Sequence, residues 1–563
     1  MRNIKYIVIV ALALAIGVEA NAQSIYEANR FMGSDLNGTA RFVGMGGAMG
    51  ALGGDISTMN TNPAGIGIYR SNDLMMSFGF NATNADSKFG TESMNANKLK
   101  LSFDNIGFVY SNKIGNLTAL KYVNFGFNYH KQKNFNKSML MGGNFGNVSQ
   151  TNQFAMMCNR PGDGSYFSEI LDYGDLTGGK AFTYNDVPWL GAMAAQANLI
   201  NPYYVLDDNG NKIPQIDNGK PVLDKDGNPV YLMDYLGYLP LLDKNVNGKY
   251  NSKEKGGVDA FDFNVSFNIN DMLYLGATIS AYSVNYLRTS EYSESFYLND
   301  GDDINDGFYT LRNRFKTEGA GVDFKLGMII RPIPSSPLRI GLAIHTPTFY
   351  YLTDRNTANL DFDTRNESTG EFVTGTTYPK DNAGQMEGET KYQLRTPWKY
   401  NFSLGYTIGK SVAIGAEYEY EDRSAAKMKY EDGDSYYNMD YENSMIKDML
   451  KGVHTVRLGV EAKLVPEFAL RAGYNYITGA FDNNAYKQMP NNTIYTSTEY
   501  ANSRSINNYT IGMGYRGSMF YADLAYQFST YKEDFYAFDN IDLVTTKVNN
   551  YRSQVLFTLG MRF

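Results

Sequence analysis

From Leu74 onward, apolar and polar residues alternate. Met76, Phe78 and Phe80 alternate with Ser77, Gly79 and Asn81. Phe125, Phe127 and Tyr129 alternate with Asn124, Gly126, Asn128 and His130, and Phe261 to Ile269 and Leu273 to Ile279 repeat the period. Val322–Met328, Leu338–Ile344, Tyr400–Ile408, Val412–Tyr420, Val453–Ala462, Phe468–Tyr476, Tyr509–Tyr515 and Phe520–Phe528 follow, and Ser553–Phe563 ends the chain. A period of two predicts strands with one oily and one polar face. Two settings produce that: a soluble sheet wet on one side, or a membrane barrel wet in its lumen. A soluble sheet needs other elements to cover its oily face, and amphipathic helices are nearly absent. The pattern therefore predicts an all-β, transmembrane antiparallel β-barrel. It has about 14 strands, an even number as in bacterial single-chain barrels. Short connections such as Asn270-Asp271-Met272, Gly409-Lys410-Ser411 and Val465-Pro466-Glu467 alternate with long polar ones. That is the asymmetry of periplasmic turns and external loops.

One run breaks parity. Leu101 and Phe103 have one phase and Ile106, Phe108 and Tyr110 the other, with Asp104-Asn105 between. A β-bulge there re-aims the side chains. It reads either as a strand irregularity or as a local defect in the wall.

Ahead of the strands lies GTARFVGMGGAMGALGGDISTMNTNPAGIG, Gly38 to Gly67. It has too much glycine for a helix and too little alternation for a strand. Irregular backbone survives at membrane depth only when protein surrounds it, so the segment is expected inside the barrel. Gly44 to Gly50 is not a nucleotide loop, which needs a strand before it and a helix after it. The order Gly38-Thr39-Ala40-Arg41, Gly46-Gly47-Ala48, Gly54-Asp55, Asn62-Pro63-Ala64-Gly65 resembles the N-terminal hatch of the FadL/TodX family. Those proteins are outer-membrane channels for long-chain fatty acids and other hydrophobic compounds. The resemblance implies a hatch whose rigid end, Asn62, Pro63, Ala64 and Gly65, takes part in gating. It also implies a kinked strand that opens the wall sideways, for which the parity break is a candidate.

Composition adds location. Arg2 and Lys5, the apolar run Tyr6–Val18 and Ala20-Asn21-Ala22 read as a cleavable signal at residues 1–22. The hatch then takes 23–71, and the barrel 72–563, including one long external loop at 143–257. The chain holds 45 Tyr, 33 Phe and 55 Gly but one Cys, which excludes a disulfide-stapled domain. A net charge of −8 argues against nucleic acid as a partner. The expected partners are a hydrophobic small-molecule ligand and outer-membrane lipid. The terminal Phe563, in phase with Phe557, Leu559 and Met561, resembles the signal read by the barrel-insertion machinery.

The long loop needs structure of its own. Phe167–Leu171 and Trp189–Leu199 predict short helices, and Asn209-Gly210 and Asp226-Gly227 predict tight hairpins. The family's outer loops form an apolar groove that first captures the ligand. The resemblance places it near Phe154, Met156, Met157, Trp189, Leu190 and Met193, residues that equally well form the loop's own core. Asp243, Asn245, Asn247, Gly248, Lys249 and Glu254 match positions 1, 3, 5, 6, 7 and 12 of a calcium loop, so Ca2+ is a possible cofactor with weak affinity.

Nothing in the sequence sets a nucleophile beside a base, so no enzyme is expected. Of the three His, parity points His130 and His345 inward and His454 outward. Glu417, Glu419 and Glu421, with Arg457 and Arg471, read as a lumen charge network. The inward faces are otherwise mostly polar. An apolar ligand pocket must therefore come largely from the hatch, through Phe42, Val43, Met45, Met49, Leu52, Ile56 and Met59. The expected function is passive uptake of hydrophobic molecules such as long-chain fatty acids. Haemin or aromatic hydrocarbon uptake and a surface adhesin remain alternatives.

Overall fold

The computed structural model describes residues 24–158 and 188–563, apart from short gaps at 208, 218, 224–225, 239–243, 299–304, 367–368, 380–386, 432–438 and 490–492. The signal reading at 1–22, the helix expected at Phe167–Leu171 and Asp243 lie outside these residues.

Fourteen wall strands pair antiparallel with their sequence neighbours, three of them in two parts and β9 in a further two. They are β1 (Asp73–Phe89), β2 (Glu92–Lys113), β3 (Leu120–Asn134, continued by Lys137–Asn144), β4 (Lys244–Ile269), β5 (Leu273–Leu298) and β6 (Asn305–Ile330). Then come β7 (Arg339–His345 and Phe349–Arg365), β8 (Gly388–Arg395 and Lys399–Ile408) and β9 (Val412–Asp422 and Lys427–Tyr430). The last are β10 (Gly452–Val465), β11 (Phe468–Ile477), β12 (Tyr500–Arg516), β13 (Phe520–Tyr536) and β14 (Thr546–Arg562). β1 pairs with β14 from Asp73↔Arg562 to Lys88↔Lys547, so the sheet closes on itself and leaves no edge. Each strand contains the alternating run expected of it, and several begin well before that run, β4 at Lys244 and β6 at Asn305 among them.

The oily faces point outward. Leu74, Met76, Phe78 and Phe80 on β1, Val322, Phe324 and Leu326 on β6, and Phe402, Leu404 and Tyr406 on β8 are all exposed. Among the described residues no element covers this belt, and lipid satisfies it. Above the belt the outer face turns charged. Arg312 pairs with Glu291 and Asp361, and Arg355 with Glu318 and Glu389. The longest strands therefore rise past the membrane into water.

These tall strands correct two sequence expectations. The long loop does not run to 257, because β4 begins at Lys244 and pairs with β5 from its first residue, Lys244↔Leu298. The calcium loop is not formed. Asn245, Asn247 and Lys249 sit on one face of an extended strand and Glu254 on the other. At about 3.3 Å per residue, Asn245 and Glu254 are some 30 Å apart, and six ligands cannot converge. Glu254 instead accepts a hydrogen bond from the Tyr286 hydroxyl at 2.8 Å.

The bulge is present. Register shifts between Ser77↔Asn105 and Phe78↔Phe103, leaving Asp104 unpaired and fully buried. Above Asn105↔His130 the β2–β3 ladder stops. Outside the membrane, α3 (Gln150–Cys158) and α4 (Trp189–Gln196) cap the barrel mouth. Gly210 and Gly227 take left-handed φ of 81° and 83° in the two expected hairpins.

Candidate functional site: the hatch in the lumen

The N-terminal segment enters the barrel from the outer end. Ser24 caps the short helix α1 (Ile25–Arg30), whose Ile25 and Ala28, with Phe31, join the large apolar core beneath the cap. The chain then descends through the lumen. Thr39 caps α2 (Ala40–Gly44), accepting from Phe42 N at 3.1 Å while its hydroxyl donates to Asp55. Asp55 in turn caps the 3-10 turn Ile56–Asn60 through Ser57 N. One residue thus links two turns that glycine-rich sequence would not hold alone.

Asn62 caps the next turn, Pro63–Ile68, with Pro63 at its first position. Asn62 Oδ1 accepts from Ala64 N at 3.1 Å, and its Nδ2 donates to Met328 O on β6 at 3.2 Å. Pro63 O accepts from Ser266 Oγ on β4 at 2.9 Å, and Thr61 O lies 3.0 Å from His345 Nε2 on β7. Thr61, Asn62 and Pro63 thus tie this turn to three wall strands, and Ala64 and Gly65 follow within it as part of the same anchor.

The wall receives the hatch through glycines on its inner face. A Cβ at Gly276 would strike the backbone of Pro63 and Ala64, and one at Gly327 would strike Asn62 and Pro63. Those at Gly415, Gly459 and Gly473 would strike the backbone of Ala48, Met45 and Gly46. Strand glycine marks close backbone approach, and here the approaching backbone is the hatch. Sequence reading counted these glycines as the polar face of their strands. Their clustering at lumen positions is a signal visible only once the register around the barrel is known.

Charged latches complete the seat. Arg41 donates to Glu461 on β10 at 3.0 and 3.1 Å and to Gly54 O at 2.9 Å. Glu461 also pairs with Arg471, which pairs with Asp523. Glu417 accepts from Gly50 N at 2.9 Å and from Arg457 at 2.6 Å, and Arg457 reaches Glu419 at 3.2 Å. The network anticipated from Glu417, Glu419, Arg457 and Arg471 is present, and it grips the hatch as well as stiffening the wall. His130 and His345 face inward and are buried, and His454 faces outward. His130 lies 3.1 Å from Asp262.

The apolar hatch residues do not form one pocket. Phe42, Met45, Met49 and Leu52 pack together with Leu36. Val43 packs with Ala40, Ala525 and Leu556, and Met59 with Ile56, Ile66, Met75 and Val109. Each cluster fills a different part of the wall. Phe154, Met157 and Trp189 are wholly buried in the core beneath the cap, while Met156 points away into solvent. They form the cap's interior and not an open groove.

Two narrow spaces lie beside the hatch, one among Ser34, Asn37, Phe42, Glu419 and Arg457 and a smaller one among Asn60, Lys325, His345 and Lys399. The chain is a transmembrane β-barrel stoppered by its own N-terminal segment.

No family model matches this barrel, and no curated protein matches it. Solved structures are similar to it along nearly their whole length. A Pseudomonas aeruginosa FadL homologue covers 94% of this chain and 99% of its own, at 12% identity and a TM-score of 0.49. The Pseudomonas putida toluene transporter TodX covers 94% and 99%, at 10% identity and a TM-score of 0.45. The Ralstonia pickettii toluene transporter TbuX covers the same shares, at 13% identity and a TM-score of 0.41.

Proposed function

We propose that this stoppered barrel is a passive outer-membrane channel for hydrophobic molecules, long-chain fatty acids among them, with the hatch as its gate. One observation supports the reading: a glycine-rich segment lies across the lumen, latched to the wall through Arg41, Gly50 and Pro63, and in this reading it moves to let a ligand pass. Its polar latches give it a defined seat, and its glycines let it rearrange with little steric resistance. The anchor at Asn62-Pro63-Ala64 supports motion above it, because Pro63 fixes its own φ and restricts Asn62. The sequence resemblance to the FadL/TodX hatch points the same way. The terminal strand, ending on an outward Phe563, suits insertion by the outer-membrane assembly machinery.

The test deletes Gly38–Gly67. The variant barrel, reconstituted in phosphatidylcholine vesicles, is expected to lose retention of hexadecanoic acid through detergent washing and to pass a steady ionic current. Equal retention and an equally silent bilayer would overturn the hatch as gate. Mass spectrometry of the unmodified protein should find a co-purifying apolar molecule; a protein or glycan held by the cap would favour adhesion instead.

A further inference from the structure

Above the oily belt, Arg312 and Arg355 have protein carboxylates beside them. Three cations on β8 and β9 do not. Arg395, Lys427 and Lys429 are exposed, and none has an ion-pair partner among the described residues. The register sets Arg395 directly opposite Lys427, and Gln393 opposite Lys429. Facing side chains on paired strands stand about 5 Å apart, and like charges there repel. The period of two along β9 puts Lys427 and Lys429 on the same face. An anion lying among the three would turn that repulsion into attraction.

Beside this cluster the wall carries an apolar notch. Three strands are interrupted at one height: β7 at 346–348, β8 at 396–398, and β9 by the 3-10 turn Arg423–Ala425. The registers His345↔Lys399 and Phe349↔Arg395 set Pro347 opposite Pro397 there, and neither donates to the ladder. The wall stays closed. Thr346 N donates to Phe324 O at 2.9 Å, and Thr396 N to Thr348 O at 3.0 Å. Asp323, at the floor, accepts from the Tyr282 and Thr348 hydroxyls at 2.7 and 2.8 Å. The notch is therefore a blind pocket on the lipid face. Ile279, Val322, Phe324, Phe349, Pro397 and Trp398 line it, with Arg395 at the rim.

Its height is that of the outer leaflet's headgroup boundary. On β7, Phe349 and Tyr351 face lipid, and the next outward positions are Thr353 and Arg355. Along the register, Phe324 and Trp398 lie on the membrane side of Arg395, and Lys429 on its water side. Tryptophan favours that boundary, and a long cationic side chain can reach upward from it.

We propose that this face binds one phosphorylated acyl glycolipid of the outer leaflet. Acyl chains lie in the notch, and phosphate sits among Arg395, Lys427 and Lys429. Charge complementarity carries the assignment: cations without a protein partner stand directly above apolar surface, as phosphate stands above acyl chains. A guanidinium matches phosphate with two parallel N–H groups. Three cations exceed what the single phosphate of a glycerophospholipid neutralises. Further out, the outward Gln393, Thr353 and Thr357 offer amide and hydroxyl groups to sugar hydroxyls. The site lies on the outside of the wall and does not depend on movement of the hatch.

The test uses the full mature chain in dodecyl maltoside, titrated with lipid A, a bisphosphorylated acyl diglucosamine, and read by native mass spectrometry. One bound lipid A is expected, displaced poorly by phosphatidylglycerol or by lipid A stripped of phosphate. Each cation near a membrane surface strengthens attachment of anionic lipid roughly fivefold, so Arg395→Gln with Lys427→Gln should weaken binding about 25-fold. Trp398→Ala should weaken it as well. Arg504→Gln with Lys547→Gln, two cations that Asp534 already pairs, should bind as the unmodified protein does. Heat-modifiable migration in gels shows that each variant has folded, and raised salt should weaken binding to the unmodified protein without any variant. Unchanged binding by the first double variant, or none by the unmodified protein, would overturn the site. Equal binding of the stripped lipid would overturn phosphate as the recognised group. Equal binding of phosphatidylglycerol would overturn the glycolipid as occupant.

Discussion

Gly327 shows how a single missing methyl can decide a fit. Its α-carbon faces Asn62 and Pro63 so closely that any side chain displaces the anchor. Gly327→Ala is expected to unseat the hatch, with an overpacking penalty of about 1–3 kcal/mol. Hydrogen exchange should quicken across 61–68 while the barrel keeps its heat-modifiable migration in gels. Arg41 is the complementary case. Arg41→Gln removes two charge-assisted bonds to Glu461, worth about 1.5–3 kcal/mol together with the Gly54 contact. Glu461 keeps Arg471, so the wall should hold while exchange rises across 40–54. Asn62, Pro63 and the lumen charges were legible in the sequence because their types are unusual at those positions. The wall glycines were not, because a lumen glycine and a lumen serine look alike until the opposite backbone is placed.

At the scale of elements, helix α5 (Asp440–Met449) carries a buried carboxyl. Burial, reinforced by nearby Asp440, raises Glu442 to about 7 from an ordinary value of 4.5. The docked helix therefore keeps a proton that the undocked one gives up. Docking is strongest below about pH 4.5 and weakens as pH rises through about 7. Amide protection of α5, corrected for intrinsic exchange, should fall between pH 5 and pH 8, and Glu442→Gln should flatten the dependence. β4 yields a second expectation. Because Asn245 to Glu254 are extended, calorimetric titration with calcium should give no heat that Glu254→Ala removes. The twelve-residue match misled because motif spacing describes a loop only if no neighbouring strand claims the same backbone. Here β5 pairs with every residue from Lys244 onward. The parity break at Asp104, by contrast, was readable, since a bulge shifts the phase of everything after it.

At the scale of the molecule, the barrel wall and the hatch behave as two bodies held by latches. The wall is continuous through the β1–β14 closure, while the hatch touches it through side chains and close backbone approach. Loss of the hatch should therefore leave the wall standing. The Gly38–Gly67 deletion is expected to migrate as a folded barrel before heating and as an unfolded chain after it. A deletion variant that never folds would show the hatch to be part of the wall's stability instead.

The sequence by itself determined the strand count, the side of each strand that meets lipid, and the presence of an irregular segment needing protein around it. Those follow from a period of two and from composition, which are local. Only the tertiary structure decided that the hatch is seated on wall glycines, that its oily residues divide among three clusters, and that the cap residues are an interior. It alone set Pro347 opposite Pro397, through the registers His345↔Lys399 and Phe349↔Arg395 on either side. Such facts depend on the register between strands distant along the chain, and periodicity along one strand carries no record of its partner.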